Sequence, residues 1–290
     1  MVKIIGGDRL DCVGLMGPGV DPHLYRATAG DVKKLNQSDV IFYNGLHLEA
    51  KLGDILENMK KKNGYTVAVT SKLPKEALLT PAEYDGLPDP HVWFDPTLWM
   101  STVQVITETF VEMDPKHRSV YEKNATAMVQ NMIILKSQIQ RLLSSIPAQQ
   151  RVLVTAHDAF NYYGRAFNIK VKGLQGISTE SEPGARDINE LANYLVENKI
   201  KAMFIESSIP KRTIEAVQRA AQSKGHLVKI GGELFSDALG NPWTPEGTYI
   251  GMMVHNTTEI ANALGRKDNH NEIHHGQDSH KHSGGETHSH

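Results

Sequence analysis

The length, composition and charge of this 290-residue chain already exclude several kinds of protein. A chain of this length exceeds one small core, so we expect two domains of about 100–150 residues each. Its 40% hydrophobic and 22% charged residues are ordinary for a globular fold. A formal net charge of −2 leaves no basic surplus to neutralise phosphates, so nucleic-acid binding is not expected.

The N-terminal residues and the single cysteine bear on targeting. Cys12 is the only cysteine, which excludes an internal disulfide. No run of residues approaches the ~20 apolar residues that span a bilayer. No secretory signal is expected either, because Met1–Ile5 meets Gly6–Asp8 before an apolar core of the usual length can form.

In chain order, short β-rich apolar runs alternate with helical patterns. The predicted strands are Val40–Tyr43, Thr66–Val69, Val152–Thr155, Ala202–Ile205 and Leu227–Ile230. The predicted helices are Ala29–Gln37, Leu46–Lys61, Ala185–Asn198, Arg212–Ser223 and Gly247–Leu264. This alternation indicates βαβ units, and therefore an α/β fold with mostly parallel sheets.

The segment Pro115–Ile146 interrupts the alternation, since it contains no glycine, no internal proline and no strand signal. Its apolar residues recur at steps of four and three, which places them on one face of a helix. About thirty residues at 1.5 Å each reach roughly 45 Å, more than one lobe needs. A core helix or a coiled-coil seam would show the same pattern. The position between two α/β halves favours one long rigid helix that joins two lobes.

The predicted organisation is therefore an N-terminal lobe (1–114), a linking helix (115–147), a C-terminal lobe (148–268) and a tail (269–290). The tail contains little that could form a core, so we expect it to be disordered. Its histidines are His270, His274, His275, His280, His282, His288 and His290. Their irregular spacing favours a loose metal-collecting segment, and an artificially appended sequence is the alternative.

Three other histidines stand in loops or at strand ends. His23 and His91 each follow an Asp-Pro pair, and His157 follows the predicted strand Val152–Thr155. In open α/β sheets, ligands gather at the carboxyl ends of the strands. Proline fixes φ near −65° and restricts the residue before it, so each Asp-Pro-His histidine emerges from a stiff turn. Such a turn holds an imidazole in place for metal binding.

Two carboxylates follow predicted strands in the same way. Asp237 lies just beyond Leu227–Ile230 and is a candidate ligand. Glu206 ends the strand Ala202–Ile205 and could orient a ligating imidazole. The remaining histidines His47, His117, His226 and His255 are interpreted as surface or packing residues.

Five segments together resemble the metal-binding proteins of bacterial ABC importers, the TroA-like or cluster A-I family of zinc and manganese carriers. They are GLMGPGVDPHLY (14–25), YNGLHLE (43–49), DPHVWFD (89–95), VTAHDAF (154–160) and GGELFSD (231–237). Their order matches the family, and the likeness covers residues 14–264. The resemblance leads us to expect an export signal, a first strand and a helix before residue 14, and we interpret Val2–Gly6 as the end of that helix. Either a truncated sequence or a variant without the first strand would explain this departure.

The resemblance implies a metal site in the cleft between two lobes, with the ion handed to a membrane permease. It assigns the ligands as His23 and His91 from the first lobe and His157 and Asp237 from the second. Manganese-selective members carry glutamate at the third histidine, so His157 moves the expectation toward zinc, or mixed zinc and manganese binding. The resemblance also implies a monomeric, periplasmic or otherwise extracytoplasmic protein that is not an enzyme and binds Zn²⁺ or Mn²⁺ as transported ligand.

Two other functions compete with this carrier hypothesis. A zinc hydrolase could use the three histidines with Asp95, Asp158 or Glu206 as base. However, the chain has no His-Glu-x-x-His pair and no Gly-x-Ser-x-Gly nucleophile motif. A surface adhesin with a merely structural metal is the second alternative, although no segment marks a partner surface. Three imidazoles and one carboxylate independently match zinc, and the carboxylate oxygen also suits manganese.

Overall fold

The computed structural model describes residues 1–84 and 86–265, and it has the predicted α/β architecture. Its strands are β1 (Ile41–Tyr43), β2 (Thr66–Ala68), β3 (Val152–His157), β4 (Lys170–Gln175), β5 (Ala202–Glu206) and β6 (Lys229–Leu234). Its α-helices are α1 (Val2–Gly6), α2 (Ala29–Gln37), α3 (Gly53–Asn63), α4 (Pro96–Met113), α5 (Arg118–Leu143), α6 (Asn161–Phe167), α7 (Ala185–Glu197), α8 (Arg212–Ser223) and α9 (Tyr249–Gly265). The histidine-rich tail lies outside the described residues.

The strands pair in parallel, as the alternation predicts. Within the described residues, β1 pairs with β2, β3 with β4, and β5 with β6. Strands β3 and β5 also lie close to each other. Parallel neighbours direct their carboxyl ends to the same edge, so the residues that follow β3, β5 and β6 are brought together there.

The long helix α5 packs against both halves of the molecule. It contacts α1 and α4 on one side and α9 on the other. Its apolar face is buried through Tyr121, Met128, Met132, Leu135, Ile139 and Leu143, as the periodicity predicts. One continuous apolar core therefore includes Val103 of α4, Met132 of α5 and Ile260 of α9. Burying each such side chain contributes about 1.5–3 kcal/mol, so separating the halves along α5 would be costly.

Several predicted boundaries need correction. The helix predicted from Leu46 starts at Gly53, because Leu46 and His47 adopt left-handed φ values of 53° and 66°. The Glu49 carboxylate stabilises this turn by accepting the backbone N–H groups of Asn44 and Gly45 at 2.7 and 3.1 Å. The long helix is also shorter than predicted, with a 3₁₀ turn over Pro115–His117 and a last helical residue at Leu143.

The remaining corrections concern strands and missed elements. The last predicted strand lies two residues later and extends to Leu234, and the strand before the third histidine extends to His157 itself. Helices α4 and α6 and strand β4 were not predicted. Helix α4 carries a recognisable start signal, because the Asp95 side chain accepts the N–H of Thr97 at 2.9 Å and Pro96 occupies the first turn. Among the described helices, none has the length and apolarity needed to cross a bilayer.

Candidate metal centre

The four predicted ligands converge on one point between the two halves of the chain. His23 lies in an irregular segment before α2, and His91 precedes a 3₁₀ turn that leads into α4. His157 is the last residue of β3, and Asp237 lies three residues beyond β6. One donor atom from each residue lies within 4.8 Å of all the others. The structure thus brings together all four residues that the sequence singles out.

Most of the donor separations are close to those of a tetrahedral zinc site. Zn–N bonds of 2.0–2.1 Å in a tetrahedron place donor atoms about 3.3–3.4 Å apart. His91 Nε2 lies 3.4 Å from His23 Nε2 and 3.3 Å from His157 Nε2. The nearest Asp237 oxygen lies 3.5, 3.4 and 3.2 Å from the Nε2 atoms of His23, His91 and His157, respectively. These five of the six donor pairs are therefore separated by close to the distances that a small divalent cation requires, and all four donors lie within 4.8 Å of one another.

The Asp237 carboxylate has an unusual environment in this cluster. Its side chain has no exposed surface, and neither oxygen makes a hydrogen bond of acceptable geometry within the described residues. A buried carboxylate without hydrogen-bond donors is costly unless a cation neutralises it. Oδ1 faces His91 and Oδ2 faces His23 and His157, so both oxygens point toward the position a metal ion would take.

Both Asp-Pro-His motifs form the same backbone turn. The N–H of His23 donates to Asp21 Oδ1 at 2.9 Å, and the N–H of His91 donates to Asp89 Oδ1 at 2.9 Å. An aspartate side chain readily accepts a hydrogen bond from the backbone N–H two residues later in the chain. The stiff turn expected from proline is therefore reinforced by the aspartate that precedes it.

Two of the imidazoles are oriented by a buried carboxylate. His91 Nδ1 lies 2.7 Å from Asp89 Oδ1, and His157 Nδ1 lies 2.6 Å from Glu206 Oε2. Glu206 also accepts the backbone N–H of His157 at 2.9 Å, in the orienting role that the sequence predicts for it. With Nδ1–H donating to a carboxylate, the Nε2 lone pair of each ring is left for a metal, and its basicity is increased.

The same carboxylates set the charge of these imidazoles. Burial alone would lower the pKa of His91, but Asp89 and Asp237 outweigh it and raise the pKa to about 9. Burial likewise opposes charge on His157, yet Glu206 and Asp237 raise its pKa well above the usual value. Without metal, both rings therefore hold a proton at neutral pH, and an incoming cation must displace it.

The other two predicted ligands are already in the protonation state that metal binding needs. Burial would raise the pKa of Asp237, but His157 and His91 hold it well below the usual range, so the carboxylate is ionised. Burial lowers the pKa of His23 to about 3, so this imidazole is neutral at physiological pH. The cluster thus contains one free imidazole, one carboxylate and two rings whose protons exchange for a metal ion.

Helix α6 of the second half fixes the aspartate that orients His91. Asn161 Nδ2 donates to Asp89 Oδ2 at 3.1 Å, and the Tyr162 hydroxyl donates to the Asp89 carbonyl at 3.0 Å. The same hydroxyl accepts the N–H of Leu79 at 3.0 Å. The first-half ligand is therefore positioned from the second half, which makes the site a property of both halves together.

The segment that carries Asp237 is held from two directions. The Asn256 side chain accepts the N–H of Phe235 at 2.9 Å and donates to its carbonyl at 2.7 Å. Trp93 Nε1 donates to the carbonyl of Ser236 at 3.2 Å. Asn256 comes from α9, whereas Trp93 lies two residues after His91, so the Asp237 segment is also tied to the first half.

The remaining described histidines lie outside the cluster, as predicted. His226 Nε2 contacts the carbonyl of Ile200, and His255 Nε2 contacts that of Glu233. His117 Nδ1 pairs with Asp114 at 2.8 Å, and His47 is exposed. Three of them therefore contact neighbouring residues and the fourth lies on the surface, in agreement with their interpretation as surface or packing residues.

Sequence reasoning missed several residues that support the site. Asp21, Asp89, Asn161, Tyr162 and Asn256 were not singled out. The two aspartates carried a usable signal, since Asp two residues before a functional residue can cap its backbone N–H. Asn161, Tyr162 and Asn256 carried none, because their partners are more than twenty residues away in sequence and depend on helix packing.

Comparison with known proteins places this arrangement in a wider group. The chain matches, over residues 1–263, the family described as zinc-uptake complex component A, periplasmic. It is 47% identical to the zinc-binding protein TroA of Treponema pallidum, with 91% of this chain and 85% of the relative covered. It is 46% identical to the manganese-binding lipoprotein MntA of Bacillus subtilis, with 90% and 84% covered.

The solved structures agree with the sequence relatives. The periplasmic zinc-binding protein TroA from Treponema pallidum matches with a TM-score of 0.89 at 47% identity, covering 91% of this chain and 95% of that one. Iron(III)-bound YtgA from Chlamydia trachomatis matches with a TM-score of 0.80 at 26% identity, covering 91% and 93%. The fold is thus that of this group along nearly the whole chain.

Proposed function

Because this chain belongs to the family of zinc-uptake complex component A, periplasmic, we propose that it captures Zn²⁺ and/or Mn²⁺ outside the cytoplasm and delivers the ion to an ABC-transporter permease. Its relatives are named as a zinc-binding protein, a manganese-binding lipoprotein and a metal ABC-transporter substrate-binding lipoprotein, and such a binding component is not an enzyme. The ion is cargo in this proposal, held by His23, His91, His157 and Asp237 until the permease receives it.

The observation that carries the proposal is the fully buried carboxylate of Asp237, which has no hydrogen-bond partner among the described residues and lies among three imidazole Nε2 atoms. Four protein donors close a tetrahedral site, whereas catalytic zinc normally keeps an open position for water. A closed site suits a carrier, which must hold its ion without promoting hydrolysis. The zinc hydrolase alternative therefore lacks the coordination position that it would need.

The donor set favours zinc and accommodates manganese. Imidazole suits zinc, whereas carboxylate and water oxygens suit manganese. Three of the four ligands are imidazoles, yet both Asp237 oxygens face the centre and could bind one ion together. Relatives named for zinc and for manganese are almost equally similar to this chain, at 47% and 46% identity. We therefore propose Zn²⁺ as the preferred ion and Mn²⁺ as an accepted one.

The partner and the domain organisation form the rest of the proposal. The chain acts as a monomer that meets the permease at the outer face of the membrane that contains the permease, and adhesion is at most a secondary role.

Residues 1–114 and 148–265 act as lobes on either side of the linking segment 115–147. Since one apolar core includes side chains from α4, α5 and α9, loaded and empty forms differ only slightly in shape. Small-angle scattering that showed a large compaction on zinc addition would exclude this rigid arrangement.

Equilibrium dialysis against zinc and against manganese tests the binding function. The chain should bind one ion tightly, and it should still do so after deletion of residues 269–290. His157→Ala and Asp237→Ala should each remove most of the affinity. Structural zinc sites with four ligands bind by about 10–16 kcal/mol, so one ligand accounts for roughly 3 kcal/mol, or more than a hundredfold.

His47→Asn is the matched control for these variants. It removes an exposed histidine outside the cluster, and asparagine tolerates the left-handed φ of 66° at this position. Its affinity should equal that of the unmodified chain. Tight binding that disappears with the tail, or that survives both ligand substitutions, would contradict the proposed function.

A further inference from the structure

An ion in this centre has no way in or out without movement of the protein. The side chain of His23 is 3% exposed, and those of His91, His157 and Asp237 are fully buried. A carrier must nevertheless load and release its cargo. Some part of the surroundings must therefore move, and the contacts of each ligand indicate which part.

Three of the ligands are held by several contacts each. His91 is fixed by Asp89, which is itself anchored on α6 through Asn161 and Tyr162. His157 ends a paired strand and is held by Glu206 at both its ring and its backbone. The Asp237 segment is held by Asn256 and Trp93, as described above. Moving His91 or His157 would break buried hydrogen bonds to carboxylates, and moving the Asp237 segment would break the hydrogen bonds to Asn256 and Trp93.

His23 is held differently from the other two histidines. Within the described residues, its ring makes no hydrogen bond to a carboxylate outside the cluster. Residues 10–28, which carry it, form neither helix nor strand. Among the residues that the structure describes, the one hydrogen bond to the His23 backbone is to Asp21, whose Oδ1 accepts its N–H. The position of His23 therefore depends on what holds Asp21.

Asp21 is held by a residue from the opposite half. The Thr179 hydroxyl donates to Asp21 Oδ2 at 2.6 Å, and Thr179 is 6% exposed. The next residue, Glu180, pairs with Lys51 of the first half at 3.1 Å. Residues 176–184 also form neither helix nor strand. We call these two contacts, Asp21–Thr179 and Lys51–Glu180, the latch.

We propose that the metal centre opens at this latch, that His23 is the ligand that moves away, and that Thr179 sets the rate of metal exchange. The inference rests on the proposed carrier function and extends it to the order in which ligands release. Thr179 is a positioning residue, since it acts on the metal through Asp21 and His23. His91, His157 and Asp237 stay in place and present the ion on the side that His23 leaves.

A latch of this kind has a kinetic signature that a ligand or a simple structural residue does not share. The latch contacts are made by protein groups alone, so they hold the empty and the loaded centre closed to the same extent. Weakening them makes opening more frequent in both forms. Association and dissociation should therefore accelerate together while the dissociation constant stays nearly constant.

Stopped-flow kinetics of the full chain test the latch, with zinc as the metal and an excess of chelator as the trap. Thr179→Val removes the hydroxyl at nearly constant volume. Hydrogen bonds to charged groups are strong enough to shift an equilibrium about tenfold. We expect both rate constants to rise about tenfold, with a dissociation constant within about threefold of the unmodified value.

Three further variants control this experiment. Thr179→Ser restores the hydroxyl and should restore both rates. Ser181→Ala changes an exposed residue of the same segment and should leave them unchanged. Lys51→Ala breaks the exposed pair, which contributes less, so both rates should rise about twofold. This last variant disturbs no core packing and keeps the test available if Thr179→Val does not fold.

Two results would overturn the latch alone. One is zinc exchange at the unmodified rate in Thr179→Val and Lys51→Ala. The other is faster dissociation with unchanged association, which is a loss of affinity and not of closure. An unmodified chain that binds no zinc at the four-residue centre would overturn the proposed function and the latch with it.

Discussion

The two Asp-Pro-His motifs share a tripeptide and a backbone turn, in which the aspartate accepts the N–H of the histidine. The two aspartates differ in the other hydrogen bonds that they accept. Asp89 binds the ring of its own histidine and is anchored on α6 by Asn161. Among the described residues, Asp21 makes no hydrogen bond to the ring of His23, and its Oδ2 accepts the hydroxyl of Thr179 from the opposite half. The second motif thus builds a rigid ligand, whereas the first builds a ligand that depends on closure. The same tripeptide can therefore hold a metal-binding histidine rigidly in one place and let it move during metal exchange in another. The difference lies in the distant residue that binds the aspartate.

Removing each histidine in turn gives the strongest test of the difference between the two motifs. His91→Ala should lower zinc affinity by about a thousandfold or more, since it removes an oriented imidazole whose basicity a carboxylate increases. His23→Ala should lower it by about a hundredfold, because this ring lacks such a partner. Competition with a chelator of known affinity measures both. Equal losses in the two variants would show that the carboxylate contact adds nothing to His91.

The same substitution in both aspartates gives the next largest contrast. Asp89→Asn should weaken zinc binding about 10–100-fold, the usual effect of losing a partner that orients a metal-bound histidine. Asp21→Asn should change affinity less than about threefold, since its amide oxygen can still accept the N–H of His23. Isothermal titration of both variants checks this. An Asp21→Asn variant that binds as weakly as Asp89→Asn would contradict the division of roles.

The third contrast between the two histidines is the pH dependence of zinc binding. His91, with its pKa raised to about 9, holds a proton at neutral pH, whereas His23, with its pKa lowered to about 3, does not. Zinc must displace the proton from His91. Each displaced proton should therefore lower the zinc affinity about tenfold for every unit that the pH falls below 9. Proton release during zinc addition in weakly buffered solution measures this directly.

Asp89→Asn provides the matching control for the pH effect. Without the carboxylate, the pKa of His91 should fall, so fewer protons should be released per ion at pH 7. Asp21→Asn should release as many as the unmodified chain. Zinc binding that is independent of pH between 6 and 8 would contradict the assignment of the displaced proton to the ligands.

The sequence and the resemblance together predict four ligands, which the fold brings together, whereas the contacts of their neighbours depend on the fold. His157 and Asp237 could be placed because each follows a strand, and parallel strands bring their carboxyl ends together. The different behaviour of Asp21 and Asp89 could not be predicted. Thr179 lies 158 residues from Asp21, and Asn161 lies 72 residues from Asp89, so no local pattern connects them.

The elements missed in the fold have two different explanations. Strand β4 has exposed lysines at Lys170 and Lys172 and a glycine at Gly173, which together obscure its apolar alternation. The helix predicted from Leu46 failed because the Glu49 carboxylate stabilises a turn in which two residues take positive φ. The first case is a weak apolar pattern, whereas the second is a side-chain contact that overrides a local helical propensity. In both, the error concerned a boundary or an element outside the metal centre.

Anomalous X-ray scattering from crystals of the zinc-loaded chain, recorded at the zinc edge, tests the central claim most directly. We predict one strong peak bonded to the Nε2 atoms of His23, His91 and His157 and to a carboxylate oxygen of Asp237, at about 2.0–2.2 Å from each. A fully loaded crystal in which zinc binds elsewhere, with these four side chains free of metal, would contradict the account.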